Sequence, residues 1–214
     1  MRKDEVLTLF ASEAKTTIKL CGLSRPEDVA AANLVGPDLV GFVVDFPRSH
    51  RSVASAHLRS LAKDVRPDVA RVGVFVDQPA KTIARLWEQG AIDCAQLHGS
   101  EGEDYLETLR ALVDVPIVQA FRMNTPADVR LAQRSSADLV LLDGGQGAGR
   151  TFDWSLARDV RRPFLLAGGL GPANVVEAIR QVRPWGVDMS TGIETDGRKD
   201  IQKMKAAVVA VRGA

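Results

Sequence analysis

Leu139-Val140-Leu141-Leu142-Asp143-Gly144-Gly145 is the stretch on which the fold turns. Four apolar residues in a row, with no polar alternation, describe a strand covered on both faces, as strands of parallel sheets are. The run then stops at one acid and two glycines. Working outward, similar Val/Ile/Leu-rich runs recur at steps of roughly 20 to 30 residues, separated by segments of helical spacing. The predicted strands are Thr17–Cys21, Leu39–Val44, Ala70–Val76, Asp93–Leu97, Pro116–Phe121, Leu139–Asp143, Pro163–Ala167 and Trp185–Ser190.

Proline marks the helix starts between them, at Arg25-Pro26-Glu27-Asp28, Gln78-Pro79, Thr125-Pro126-Ala127-Asp128 and Gly171-Pro172, and Gly36 and Gly90 read as C-terminal stops. Eight strand-helix units in 214 residues predict an α/β fold, a single-domain (β/α)8 TIM barrel over residues 17–214. Residues 1–16 precede the first strand as a short N-terminal extension, expected to be helical, that either closes the barrel bottom or frays. A doubly wound open sheet is the competitor, but no Gly-x-Gly-x-x-Gly follows the first strand, where a dinucleotide fold carries it.

The bulk composition, 45% hydrophobic and 26% charged, is that of an ordinary globular chain. A formal charge of +1 with interspersed signs provides no basic face, so neither nucleic acid nor a membrane surface is expected as a partner. The apolar stretch near the N-terminus is interrupted by Ser12, Glu13 and Lys15 too soon for a signal peptide. Cys21 and Cys94 fall in separate predicted strands without paired spacing, which predicts no disulfide and no zinc site, and fits a reducing cytoplasm.

In a parallel barrel all strand C-termini open on one face, so the thiol closing Lys19-Leu20-Cys21-Gly22 and the carboxyl closing Leu141-Leu142-Asp143 can meet across one pocket. Cys21 is then either a small core hydrophobe or a base, and as a base it needs a compensating cation or amide donors. Lys19, two residues back on the same face, is a candidate for that cation or for a structural ion pair. Asp143 is either a helix cap or, partly desolvated beside a substrate, a general acid. Glycine-rich stretches follow the sixth, seventh and eighth strands: Gly144 to Gly149, Gly168-Gly169 and Ser190-Thr191-Gly192. Barrel loops in the last two positions frequently bind phosphate. The segment Asp45-Phe46-Pro47-Arg48-Ser49-His50-Arg51 offers guanidinium groups for a carboxylate, or is a solvated loop, and Asp45 adds a negative charge near any anionic substrate. Gln96 and His98 end the fourth strand on one side, and Asp77 ends the third without an evident role.

Lys19-Leu20-Cys21-Gly22, Gly41-Phe42, Pro47-Arg48-Ser49-His50-Arg51, Val72-Gly73-Val74-Phe75-Val76, Gln96-Leu97-His98-Gly99, Leu142-Asp143 with Gly149-Arg150-Thr151-Phe152-Asp153-Trp154, and Ala167-Gly168-Gly169-Leu170 together resemble, in order, the motifs of the phosphoribosylanthranilate isomerase family. The resemblance runs from about Lys19 to Asp200. It implies an Amadori rearrangement in tryptophan biosynthesis, with no cofactor and no metal, on a small phosphorylated substrate. It further implies Asp143 as general acid and Cys21 as the thiolate base. Arg51 would bind the anthranilate carboxylate, with Gln96 and His98 also on the substrate. Gly145, Gly168, Gly169, Ser190, Thr191 and Gly192 fall in the phosphate-site segments. The loop Gly144–Arg150 is slightly short against the family pattern, which bears on phosphate affinity. A monomer or homodimer is expected.

Two other readings fit the same barrel. A related sugar-phosphate enzyme of histidine or indole biosynthesis would want a second aspartate where Cys21 stands, or strand-end lysine and glutamate; a Schiff-base aldolase likewise wants a strand-end lysine. A non-catalytic barrel that binds a phosphorylated metabolite would retain the glycine loops with a broken acid/base pair, whereas here both members are present.

Overall fold

The structure, a computed structural model, describes residues 3–12, 15–144 and 154–214. Eight strands form its centre: β1 (Thr17–Cys21), β2 (Leu39–Val44), β3 (Ala70–Phe75), β4 (Cys94–Leu97), β5 (Ile117–Arg122), β6 (Leu139–Asp143), β7 (Phe164–Leu166) and β8 (Gly186–Met189). Each pairs in parallel with the next, and β1 pairs with both β2 and β8, which closes the barrel. Every strand end lies within one residue of its sequence expectation. Two of the differences have a simple cause: Pro116 and Pro163 have no N–H to give to the ladder, so β5 and β7 start one residue later.

The helices are α1 (Lys3–Ala11), α2 (Pro26–Val35), α3 (Ser55–Ala62), α4 (Ala80–Glu88), α5 (Glu103–Leu112), α6 (Pro126–Arg134), α7 (Val175–Val182) and α8 (Ile201–Arg212). Pro26 and Pro126 occupy first helical turns, and in both helices Asp28 or Asp128 at the third position accepts from the backbone N–H preceding the helix. Gly36 closes α2 in the left-handed conformation at φ 69°. After β6 the described chain returns through a 3-10 turn, Trp154–Asp159, in place of an α-helix. The turn is followed by Arg162-Pro163, and the residue before a proline is pushed out of the helical region. Among the described residues no helix is long and apolar enough to cross a membrane.

The apolar strand runs are explained by two cores. Ile18, Leu20, Val40, Phe42, Val140 and Leu142 point outward and are buried under the helices. Leu39, Val72, Cys94, Val118, Leu139 and Leu141 point inward and form a second cluster within the barrel. Inner residues at the strand starts are covered by α1, whose Val6 and Phe10 join that cluster. Phe10 meets Trp185 edge to face, with centroids 5.4 Å apart, and Trp185 Nε1 donates to the Leu9 carbonyl at 3.2 Å. An ion pair between Lys3 and Asp114 fastens the start of the helix. Phe10→Ala is therefore expected to lower the unfolding free energy by about 3 kcal/mol. Because α1 sits at the end of the barrel opposite the strand C-termini, kcat should not change. Urea unfolding with a parallel activity assay checks both, and an unchanged midpoint would mean that α1 does not plug the barrel.

Candidate active site

The inner row changes character along the barrel axis. Apolar at the strand starts, it becomes polar toward the C-terminal ends, where Lys19 and Cys21 (β1), Gln96 (β4), Asp143 (β6) and Asp188 (β8) are all buried. Above them lies a cavity of about 490 Å3 bordered by Cys21, Arg51, Gln96, His98, Asp143, Gly168, Gly169, Ser190 and Thr191. Residues scattered over the sequence thus meet in one place. Gly192 does not border the cavity but packs against Leu170, which does, and Gly145, like the rest of 145–153, lies outside the described residues.

Lys19 is completely buried, and its Nζ donates to Asp188 Oδ1 at 3.0 Å, between residues paired in register across β1 and β8. Burial alone would drive the ammonium toward neutrality. The charges of Asp188 and Cys21 outweigh it and hold Lys19 firmly protonated, with its pKa well above the ordinary lysine value. Burial, and then the charge of Asp188, push the Cys21 thiol above its ordinary range, while Lys19 and the more distant Lys199 pull it back. Lys19 is thus both of the things its position suggested, an ion-pair partner and a cation beside the thiol. Room for the arrangement comes from Gly41 on β2, paired in register with Cys21. A Cβ there would come 2.6 Å from Cys21 Sγ and 3.0 Å from Lys19 Nζ. Cys94, by contrast, sits on the inner row at the barrel bottom, where burial pushes its thiol up.

Asp143 ends β6 against the loop after β7. Gly168 has φ 88°, and a Cβ there would lie 2.8 Å from Asp143 Oδ1 and 2.5 Å from the Gly144 nitrogen. Only glycine fits so close an approach in that conformation. On its other side Asp143 faces His98, with Nε2 3.4 Å from Oδ2. Gln96 Nε2 lies 2.9 Å from His98 Nδ1. An amide N–H donating to Nδ1 leaves the ring proton of the neutral imidazole on Nε2, directed at the Asp143 carboxyl. His98 therefore bridges Gln96 and the candidate acid.

The last two loops fit together through their backbones. A Cβ on Gly192 would fall 2.0 Å from the Leu170 carbonyl oxygen. Asn174 ties the first of these loops down, accepting from Gly171 N at 2.9 Å and donating to the Gly169 carbonyl at 3.0 Å. Gly168 and Gly169 both have positive φ, and Ser190 and Thr191 complete this side of the cavity.

Arg51 is carried by the excursion after β2. Ser52–Val53 pairs in parallel with Val43 and Val44, so both ends of the loop are held beside the strand. The Arg51 guanidinium borders the cavity, but its Nε and Nη2 both donate, at 2.6 Å, to the carboxylate of Glu194. Lys199 Nζ also donates to Glu194 Oε1 at 2.6 Å, and to the Ser190 carbonyl at 3.1 Å. Although burial works against ionisation, the hydrogen bonds from Arg51 and Lys199 hold the Glu194 carboxyl down at about 2.

Three charged groups important to the site, Asp188, Glu194 and Lys199, are absent from the sequence expectations. The last two face each other in a hairpin, Glu194–Thr195 against Arg198–Lys199. Its turn, Asp196-Gly197, has φ 51° and 71°, the Asp-Gly signal of a two-residue hairpin, which was there to be read. Asp45, expected to bring a negative charge beside the substrate, does not border the cavity: at φ 48° the chain turns there, and Oδ1 accepts from Ser55 N at the start of α3. Asp77 likewise has a structural task, accepting from Ser100 N and Oγ at 2.7 Å.

Comparison with known proteins bears on what this site does. The family model described as N-(5'phosphoribosyl)anthranilate (PRA) isomerase matches residues 18–210. The N-(5'-phosphoribosyl)anthranilate isomerase of Acetivibrio thermocellus is 39% identical, covering 93% of this chain and 97% of that one. A solved phosphoribosyl anthranilate isomerase in complex with reduced 1-(o-carboxyphenylamino)-1-deoxyribulose 5-phosphate superposes with a TM-score of 0.81 at 32% identity, covering 93% of this chain and all of that one. Monomers generated from the dimeric enzyme of Thermotoga maritima superpose with the same TM-score, identity and coverage.

Proposed function

Since this chain belongs to the N-(5'-phosphoribosyl)anthranilate isomerase family and is an isomerase of tryptophan biosynthesis, we propose that Asp143 and Cys21 are its general acid and general base. The observation that carries this reading is their placement on one cavity, from β6 and β1, with the glycine loops of β7 and β8 between them around the ring.

The reaction divides at the ring opening. The protonated Asp143 carboxyl gives its proton to the furanose ring oxygen as the anilinic nitrogen lone pair expels that oxygen from C1, leaving an open-chain iminium. The Cys21 thiolate then removes the proton from C2. The C–H electron pair becomes the C1–C2 double bond, and the iminium pair returns to nitrogen. The resulting enolamine carries a hydroxyl at C2; loss of that proton and protonation at C1 give the ketone. One acid and one base suffice for the sequence. Burial and Asp188 favour the Cys21 thiol, and Lys19 foremost, with Lys199 behind it, favours the thiolate the second step requires.

The remaining groups hold the substrate. Gly168, Gly169, Ser190, Thr191 and Gly192 take the phosphate through backbone N–H groups and hydroxyls; Gly145, which the family resemblance assigns to the same site, lies outside the described residues. Arg51 meets the aromatic carboxylate. Gln96 sets the His98 tautomer, and His98 orients Asp143. Residues 17–214 are the catalytic barrel and 1–16 an N-terminal extension whose described helix, Lys3–Ala11, covers the barrel bottom. We read the enzyme as cytoplasmic and as a monomer or homodimer; two buried, unpaired cysteines support the first.

Reduced 1-(o-carboxyphenylamino)-1-deoxyribulose 5-phosphate, the compound in one of the solved relatives, is the probe for this placement. Saturating concentrations are expected to slow iodoacetamide alkylation of Cys21, followed by peptide mapping, by at least about tenfold, which corresponds to roughly 1.4 kcal/mol of protection. Alkylation at an unchanged rate would remove Cys21 from the substrate site.

A further inference from the structure

Arg51 has been given the substrate carboxylate, yet its guanidinium is already paired. Nε and Nη2 both donate to Glu194, each at 2.6 Å. A guanidinium has two edges on which a carboxylate can sit with paired hydrogen bonds, Nε with one Nη and Nη1 with Nη2. Glu194 occupies the first. The second remains, on a side chain that borders the cavity.

The stem of Arg51 is fixed as well. It lies across Gly22, the residue after Cys21, so closely that a Cβ there would be 2.5 Å from Arg51 Cδ, 3.0 Å from Ser190 Oγ and 3.3 Å from Lys199 Nζ. The second cation, Lys199, is pinned by the same Glu194 and by Ser190. Side chains of Glu194 and Lys199 are only 6% and 2% exposed, so this cluster is built into the barrel mouth. His50 is close by on the rim, its Nε2 3.9 Å from Glu194 Oε2. Two cations on one carboxylate leave a single positive charge, enough for one more carboxylate.

We propose that Glu194 is a positioning residue for substrate recognition: it grips the Nε edge of Arg51 and presents the Nη1/Nη2 edge to the carboxylate of the substrate's aromatic ring. The proposal rests on Arg51 being the carboxylate's partner. A guanidinium released from Glu194 would have to be ordered by the substrate, and binding would weaken by that cost. Chemistry at the sugar would be less affected: Asp143 stands on another strand, and Lys19, the strongest cation on Cys21, stays in place when Glu194 is changed.

The test compares two substrates that differ only in this carboxylate, N-(5'-phosphoribosyl)anthranilate and N-(5'-phosphoribosyl)aniline, across wild type, Glu194→Gln, Glu194→Asp, Arg51→Met and the Arg51→Met/Glu194→Gln pair. For the anthranilate, Glu194→Gln should raise KM by about tenfold or more with kcat held within about threefold. For the aniline the rise in KM should be clearly smaller, since any loss that travels through Lys199 and Ser190 is common to both substrates and cancels in their ratio, and its turnover also shows that the variant is folded. Glu194→Asp, with the charge kept on a shorter arm, should show a smaller KM rise with the same bias toward the anthranilate, and it carries the test if Glu194→Gln does not fold. In the Arg51→Met background the Glu194→Gln change should add nothing to the ratio. Equal losses on both substrates would make Glu194 a purely structural group and overturn the proposal. If Arg51→Met penalises both substrates equally, the assignment of Arg51 to the carboxylate fails instead, whatever Glu194 does.

Discussion

Cys21→Ser and Asp143→Asn are each expected to reduce kcat by about 100- to 10,000-fold while KM for N-(5'-phosphoribosyl)anthranilate stays within a few-fold of wild type. Neither change alters size appreciably, and each deletes a proposed proton-transfer group while leaving every residue of the loops assigned to phosphate in place, including Gly168, against which Asp143 packs. Serine in place of Cys21 keeps a small polar side chain beside Lys19, but its hydroxyl is far too weak an acid to stand as an anion there. Asparagine in place of Asp143 still accepts a hydrogen bond from His98 at the position where His98 Nε2 now lies 3.4 Å from the carboxyl, and it has no proton to deliver to the ring oxygen. Steady-state kinetics following the fluorescence of the anthranilate moiety read both parameters. A KM effect with kcat intact would mean that these groups only bind the substrate.

Lys19→Met should have the largest effect on the protein itself. It leaves Asp188 buried without the ammonium now 3.0 Å away, and breaking a buried pair from one side costs about 3–5 kcal/mol. The same change strips the Cys21 thiolate of its nearest cation. Lys19 draws the thiol's pKa down against burial and Asp188, so without it the pKa rises further and the thiolate fraction at any fixed pH falls. The alkylation rate of Cys21 plotted against pH should therefore shift to higher pH in Lys19→Met. A variant as stable as wild type, with an unshifted profile, would show that the ion pair and the thiol are independent. Retained stability with a shifted profile would confine Lys19 to the electrostatics of the thiol.

The barrel is legible in the sequence because its determinants are local. Strands covered on both faces have to be apolar throughout, as Leu139–Leu142 is, and Pro26 and Pro126 sit where a helix has no need of an N–H. The inward-facing site residues follow from the same pattern, since whatever polar group ends an inner row must face the mouth. What fails to show is pairing over long separations. Lys19 and Asp188 are 169 positions apart, and Arg51 and Glu194 are 143 apart. Nothing in the neighbourhood of either member specifies its partner; closure of β1 on β8 does. Gly41 illustrates the difference. Its presence is part of a motif, but its reason, the space that Cys21 and Lys19 share on the adjacent strand, exists only in the folded barrel. Asp45 misleads for the converse reason: a carboxylate drawn into the backbone of α3 looks, in sequence, like one that faces the substrate.

If Asp143 acts at ring opening and Cys21 at C2 deprotonation, as proposed, the two serve successive barriers, and the kinetics of the Cys21→Ser/Asp143→Asn double variant test that division most directly. Removing the acid raises the first barrier and removing the base raises the second, so the double variant should be about as slow as the slower single variant and no slower. Losses that multiply would put both groups in one transition state and contradict the two-step assignment.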